Sequence, residues 1–165
     1  VGNESKKNTL FYTHNITSGQ SGFHKISNES KDSINLNALK ANKDLDELKI
    51  YNDSLNHERN VDIIRLDNYM EEKKIDSINL LKIDTQGHEP EVLEGLGSKL
   101  SNVDIVITEL MFYDFYERSL SFSDIEKYLA PAGLKLYDIS HISKNPMNGR
   151  TDWVDAIYVN DKIIN

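Results

Sequence analysis

Ile78-Asn-Leu-Leu-Lys-Ile83 runs directly into Asp84-Thr-Gln-Gly-His-Glu-Pro90. The first six residues form a near-continuous apolar run of strand length, the character of a strand buried on both faces of a parallel sheet. The next seven read as a turn that opens a helix. Gly87 permits a tight bend, and Pro90 suits the first helical position, where its missing N–H costs nothing. Glu89 then falls at the N-cap, with its carboxylate beside the positive end of the helix dipole. Leu93, Leu96 and Leu100 give that helix one apolar face.

The same alternation continues on both sides. Upstream, Val61-Asp-Ile-Ile-Arg-Leu66 reads as a strand, and Asp67 caps a short helix to about Lys74. Downstream, Val103-Asp-Ile-Val-Ile-Thr-Glu-Leu110 is a second buried strand. Ser123 caps a helix through Leu129 that Pro131-Ala-Gly133 stops. Leu134 to Ile139 is a third strand. The turn-rich Asn145-Pro-Met-Asn-Gly-Arg150 leads without a helix into a last strand, Trp153 to Val159. Strand–helix alternation predicts right-handed crossovers and a parallel sheet, and the helix-free final connection predicts an antiparallel last pair. Residues 1–60 differ. They are polar and rich in Asn, Ser and Lys, with a short strand from Thr9 to Tyr12 and a turn at Ser18-Gly-Gln-Ser-Gly22. Leu36, Leu39, Leu45 and Leu48 suggest weak helices.

Composition narrows the function classes. The chain has 165 residues, 38% hydrophobic and 28% charged, which is ordinary for a globular domain. Nineteen basic against 27 acidic residues give a net charge of −8, so nucleic acid is not expected as a partner. There is no cysteine, which removes disulfides, thiolate zinc sites and thiol catalysis. No run approaches the roughly 18 apolar residues of a spanning helix. Val1 to Lys7 has no apolar segment of a signal peptide and no initiator Met, and the expectation is a cytoplasmic protein whose start is trimmed, processed or cut from something longer. The sequons at Asn3, Asn15, Asn28 and Asn52 follow from a load of 17 asparagines. His14, His24, His57, His88 and His141 show no ligand spacing, so no metal is expected.

In open α/β sheets, ligands sit beyond the carboxyl ends of the strands. Asp84 lies at such an end, with His88 and Glu89 within one turn of it. Either these three form part of a site, or Asp84 ends a strand, Glu89 caps a helix and His88 is solvated. Glu109 occupies the equivalent end of the next strand, where it faces the same cleft or pairs with a lysine. The cluster Phe112-Tyr-Asp-Phe-Tyr116 follows it and lines a pocket or belongs to the core.

Leu81-Lys-Ile-Asp-Thr-Gln-Gly-His-Glu-Pro-Glu-Val-Leu-Glu-Gly95 resembles the signature of the FkbM family of S-adenosylmethionine-dependent methyltransferases, roughly Leu-Lys-Ile-Asp-x-Glu-Gly-x-Glu-x-x-x-Leu-x-Gly. Leu66-Asp-Asn-Tyr69 resembles the family's Leu-Asp-Asp element, and Ile107-Thr-Glu-Leu110 its next strand with a terminal Glu. Val1-Gly-Asn-Glu4 and Ser18-Gly-Gln-Ser21 resemble the family's post-third-strand and Ser-Gly-rich segments, and the closing strand pair resembles the end of class I methyltransferase sheets. The resemblance implies an α/β, Rossmann-like class I methyltransferase fold, its C-terminal portion, with a mostly parallel sheet and a final antiparallel strand. It implies one partial domain over residues 1–165, with an irregular part at 1–60 and an α/β core at 61–165. Two departures stand out. Gln86 replaces the usual acidic residue, and residues 24–57 are longer than the usual connection, which suggests an added cover over the cleft. The family's Asp-x-Gly-x-Asn-x-Gly cofactor loop is absent from residues 1–165, as expected if the chain begins at the end of the third strand.

What the resemblance implies chemically is methyl transfer from S-adenosylmethionine to a hydroxyl of a sugar or other natural product. Asp84 is the first choice for a polar anchor, with Thr85 beside it at the cofactor. His88 is an alternative base, and Glu89 holds the loop or joins the catalytic set. Val1, Gly2 and Asn3 lie near the adenine by analogy, and Glu109 and Tyr113 contact the acceptor. A rival reading is a degenerate domain that acts by association, as a homo-oligomer through an unpaired sheet edge. A receiver-like signalling domain with Asp84 phosphorylated lacks the acidic pair it needs after an early strand.

Overall fold

The computed structural model describes residues 1–14, 18–27, 55–112, 114–118, 120–146 and 148–164. The helices expected around Leu36–Leu48, most of the added cover expected over 24–57, and Tyr113 lie outside them. Two sheets divide the strands. The smaller pairs β1 (Lys6–Thr13) with β2 (His57–Ile63) antiparallel, with Thr9 opposite Val61 and Leu10 opposite Asn60. The larger holds β3 (Ile78–Ile83), β4 (Val103–Met111), β5 (Leu134–Lys144) and β6 (Thr151–Asn160) in the order β3-β4-β6-β5. Three eight-residue helices accompany it, α1 (Leu66–Lys73), α2 (Glu89–Leu96) and α3 (Phe122–Leu129), and a four-residue helix α4 (Asp161–Ile164) follows β6.

The expectation of a mostly parallel sheet is corrected here. Only β3 and β4 pair in parallel, in the register Leu81 to Val106 and Ile83 to Thr108. The hairpin return from β5 makes β6 run backwards, as expected of a helix-free connection. β6 then inserts between β4 and β5, so both of its ladders are antiparallel and no β4–β5 parallel pair forms. A second correction concerns Val61 to Leu66. Its strand ends at Ile63 and pairs with β1, not with the larger sheet.

One face of the larger sheet carries the core. Ile83, Val106, Leu110, Val154, Ala156 and Tyr158 point to it, and Met70 of α1, Val92, Leu93 and Leu96 of α2, and Ile125 and Leu129 of α3 close over them. Each such aliphatic side chain contributes about 1.5–3 kcal/mol by leaving water. The opposite face has no such layer among the described residues, and β3 is an edge strand. Leu80 is consequently 56% exposed, which corrects the expectation of a strand buried on both sides.

The helix starts also shift. Ser121, not Ser123, is the N-cap of α3, in a capping box with Asp124. Arg65 precedes α1, and Asp67 inside the first turn accepts from the Arg65 guanidinium at 2.6 Å and the Asn68 N–H at 2.7 Å. His88 holds the N-cap position of α2, which places Glu89 first in the helix and Pro90 second.

Candidate active site

β3 and β4 run side by side, so their carboxyl ends bring Asp84 and Glu109 next to each other although they lie 25 residues apart in sequence. The chain turns sharply after Asp84. Gln86 adopts φ 55° and Gly87 φ 92°, two successive left-handed residues. Glycine meets this requirement at 87 without strain, whereas Gln86 is held there by its contacts.

Those contacts define the site. The buried Gln86 side chain donates both amide hydrogens, one to Asp84 Oδ1 at 2.7 Å and one to Glu109 Oε1 at 3.0 Å. Its carbonyl oxygen accepts from the Tyr116 hydroxyl at 2.5 Å, and the Gln20 carbonyl oxygen lies 3.2 Å from the same hydroxyl. One neutral amide therefore bridges two carboxylates, and its orientation is set from behind by a phenol. Asp84 is exposed, with Lys82 Nζ at 3.5 Å. Glu109 is half-buried, and its carboxyl is pushed up to about 7, first by burial and then by the neighbouring Asp84 charge. Among the described residues, no lysine pairs with Glu109. Glu109, Gln86, Gly19, Gln20, Met111, Phe115 and Trp153 line a cavity of about 160 Å³.

Glu89 ties the loop down. It is only 2% exposed, and its carboxylate accepts from the Thr85 N–H at 2.8 Å, the Thr85 hydroxyl at 3.1 Å and the Gly87 N–H at 3.0 Å. Burial raises its carboxyl above the usual range, while these hydrogen bonds oppose the rise. Its carboxylate thus reaches back to the turn instead of capping its own helix.

His88 sits in a different environment. Its ring lies 4.5 Å from Phe23 and 6.0 Å from His24 between centroids, and its Nδ1 is 3.6 Å from Glu91. Burial lowers its pKa to about 4, so the imidazole is neutral and weakly basic at pH 7. Arg118 pairs with Glu91 at 2.6 Å and completes this group. Gly2 joins it too. Its N–H donates to the Ile64 carbonyl at 3.1 Å, and a Cβ there would meet His88 Nε2 at 3.0 Å. Asn3 donates to Glu94 at 3.3 Å. Among the described residues, no contact joins Val1, Gly2 or Asn3 to Asp84 or Glu109.

The structure thus gathers Asp84, Thr85, Glu89 and Glu109 and sets His88 with Val1–Asn3 apart from them. Sequence reading missed Gln86 as a bridge, since it registered only as a lost carboxylate, and Tyr116, which was one aromatic among several. The left-handed turn was signalled by Gly87, but nothing local announced a phenol 30 residues on.

Among the described residues, no helix is long and apolar enough to cross a membrane. No curated protein and no solved structure matches the chain. The sequence model of the methyltransferase FkbM domain matches residues 2–136, a span that holds β1 to β4, α1 to α3, the Asp84–Glu89 turn and Glu109. With most of its length inside that match, the chain belongs to the FkbM methyltransferase family.

Proposed function

We propose that this chain serves an S-adenosylmethionine-dependent methyltransferase that methylates a hydroxyl on a sugar or another small natural product in the cytoplasm. The observation that carries the reading is the convergence of Asp84 and Glu109 on one amide at the ends of adjacent parallel strands. The donor set fits a cationic group, because Asp84 offers an exposed carboxylate and the bridge is neutral. The cofactor supplies an electrophilic methyl on positively charged sulfur. Asp84 and Thr85 would hold its polar end, with Val1, Gly2 and Asn3 assigned to the adenine by family analogy only. The cavity beside Glu109 has room for a small polar fragment of an acceptor and not for a whole nucleoside. The Glu89 clasp keeps the turn in place, so the reacting groups meet at a fixed distance.

The test is methyl transfer from labelled S-adenosylmethionine by the protein that carries residues 1–165, against a panel of hydroxylated sugars and natural products. Labelled methyl ether is expected, together with weaker cofactor binding in Asp84→Asn by roughly tenfold or more, as for loss of a charge-assisted contact. Absence of cofactor binding, or transfer only to amines, overturns the reading. A second reading, association through the sheet edge, is favoured by the exposure of Leu80 on the outermost strand. Sedimentation of wild type and Leu80→Lys tests it. A dimer lost in the variant supports it, and a wild-type monomer refutes it.

A further inference from the structure

We infer that Glu109 is the catalytic base that takes the proton from the acceptor hydroxyl, with Gln86 as its positioning residue and Tyr116 holding Gln86. This rests on the hydroxyl-methylating function proposed above.

Three groups could accept that proton, and the structure separates them. Asp84 is exposed beside Lys82 and does not line the cavity. His88 lies against Phe23 and Glu91, with both ring nitrogens buried and without a hydrogen-bond partner, and it does not line the cavity. Glu109 alone is a carboxyl that is half-buried, lines the cavity and has one oxygen committed to Gln86. Its other oxygen has no side-chain hydrogen bond assigned to it among the described residues. Met111, Phe115 and Trp153 add apolar surface to the lining of the same cavity.

The charged groups facing Glu109 come from every neighbouring element. Asp84 ends β3, Glu89 opens α2, and Asp155 stands opposite it on β6, all raising its proton affinity. Arg118 and Tyr116 line the small gap on its other side. An acidic surrounding of this kind makes a carboxylate basic enough to work near neutral pH. Gln86 matters because a third carboxylate in its place would leave both neighbours without a donor. The balance is simple. The acceptor oxygen gains the methyl carbon, the S–CH3 bond breaks with its electron pair staying on sulfur, and the O–H proton ends on Glu109. One positive and one negative charge vanish together, and the proton then passes to water.

The experiment has two arms, both on the protein that carries residues 1–165. In the first, without cofactor, carboxyl carbon NMR follows Glu109 with pH, and Glu109→Gln assigns the signal. A midpoint near 7 supports the inference, with a higher midpoint in Gln86→Leu and Tyr116→Phe, because each weakens support for the charged form. A midpoint in the ordinary carboxylate range overturns it. In the second, kcat is followed with pH. Wild type is expected to rise through an acid limb near 7. Glu109→Gln should lose roughly 100-fold or more in kcat, keep its cofactor Kd within about twofold, and lose the limb. Tyr116→Phe should keep the limb but move it upward, which a merely structural residue would not do. Should Glu109→Gln misfold, the displacement of the limb in Gln86→Leu decides. Full activity in Glu109→Gln refutes the base while leaving methyl transfer intact. A wild type that binds cofactor but methylates no hydroxyl refutes the function and the base together.

Discussion

Glu109→Gln should make the protein more stable at neutral pH, even as it removes a candidate catalytic group. The carboxyl is pushed up to about 7 from an ordinary 4.5. That difference of about 2.5 units corresponds to ~3 kcal/mol at about 1.4 kcal/mol per unit, and partial solvent contact lowers it to about 2–3 kcal/mol. The sign follows from proton counting. Between about 4.5 and 7 the folded protein holds a proton on Glu109 that the unfolded chain has released. Stability therefore falls as pH rises through that window and levels off above it. Glutamine keeps the shape and carries no titrating proton. Urea unfolding of both proteins at pH 4.5, 6 and 8 measures the effect. The variant should gain about 2–3 kcal/mol on wild type between the first and last pH. Parallel stability curves, within about 0.5 kcal/mol across the range, would refute the assigned environment of Glu109.

Three further outcomes are expected. Glu89→Ala strands the Thr85 and Gly87 N–H groups and should cost about 2–5 kcal/mol, with faster hydrogen exchange at those two amides. Gly95→Ala in a helix interior would ordinarily gain up to about 1 kcal/mol, but here the new methyl collides with the Gly2 carbonyl oxygen. A loss of about 1–3 kcal/mol is expected instead, with the Gly2 and Asn3 amide signals shifted in NMR spectra. Tyr158→Phe removes a buried hydroxyl that has no hydrogen-bond partner and whose pKa burial pushes up to about 12. It should raise Tm, by a gain of up to about 1–2 kcal/mol.

Much of this was legible in the sequence because it is local. The strands at Ile78–Ile83 and Val103–Met111 and the helix starting beside Pro90 announce themselves by apolar period and turn chemistry, and the structure has them within two residues. The family signature likewise located Asp84 and Glu89. What was illegible is what depends on neighbours in space. Leu80 reads as a core residue until β3 is known to be an edge. Parallel pairing of β4 with β5 is the natural expectation until β6 takes the place between them. Glu89 looks like an N-cap, yet two N–H groups of the preceding turn compete for the same carboxylate and win. Gln86 could be valued only once Glu109 and Tyr116 were seen on either side of its amide.

The place of β6 also constrains how the chain acquires its structure. The last of the described strands lies between two others in the larger sheet, with Val106 on one side and Leu136 on the other meeting Tyr158. The β4–β6 ladder joins residues about 50 positions apart, so it forms late and at a high cost in loop closure. During synthesis, β4 is complete 40 residues before the strand that separates it from β5 begins, and β5 ends seven residues before that strand. Until Thr151–Asn160 is made, each has an unpaired edge in the same nascent chain. A direct β4–β5 pairing is the obvious kinetic trap, and escape from it requires that pair to open and admit a third strand.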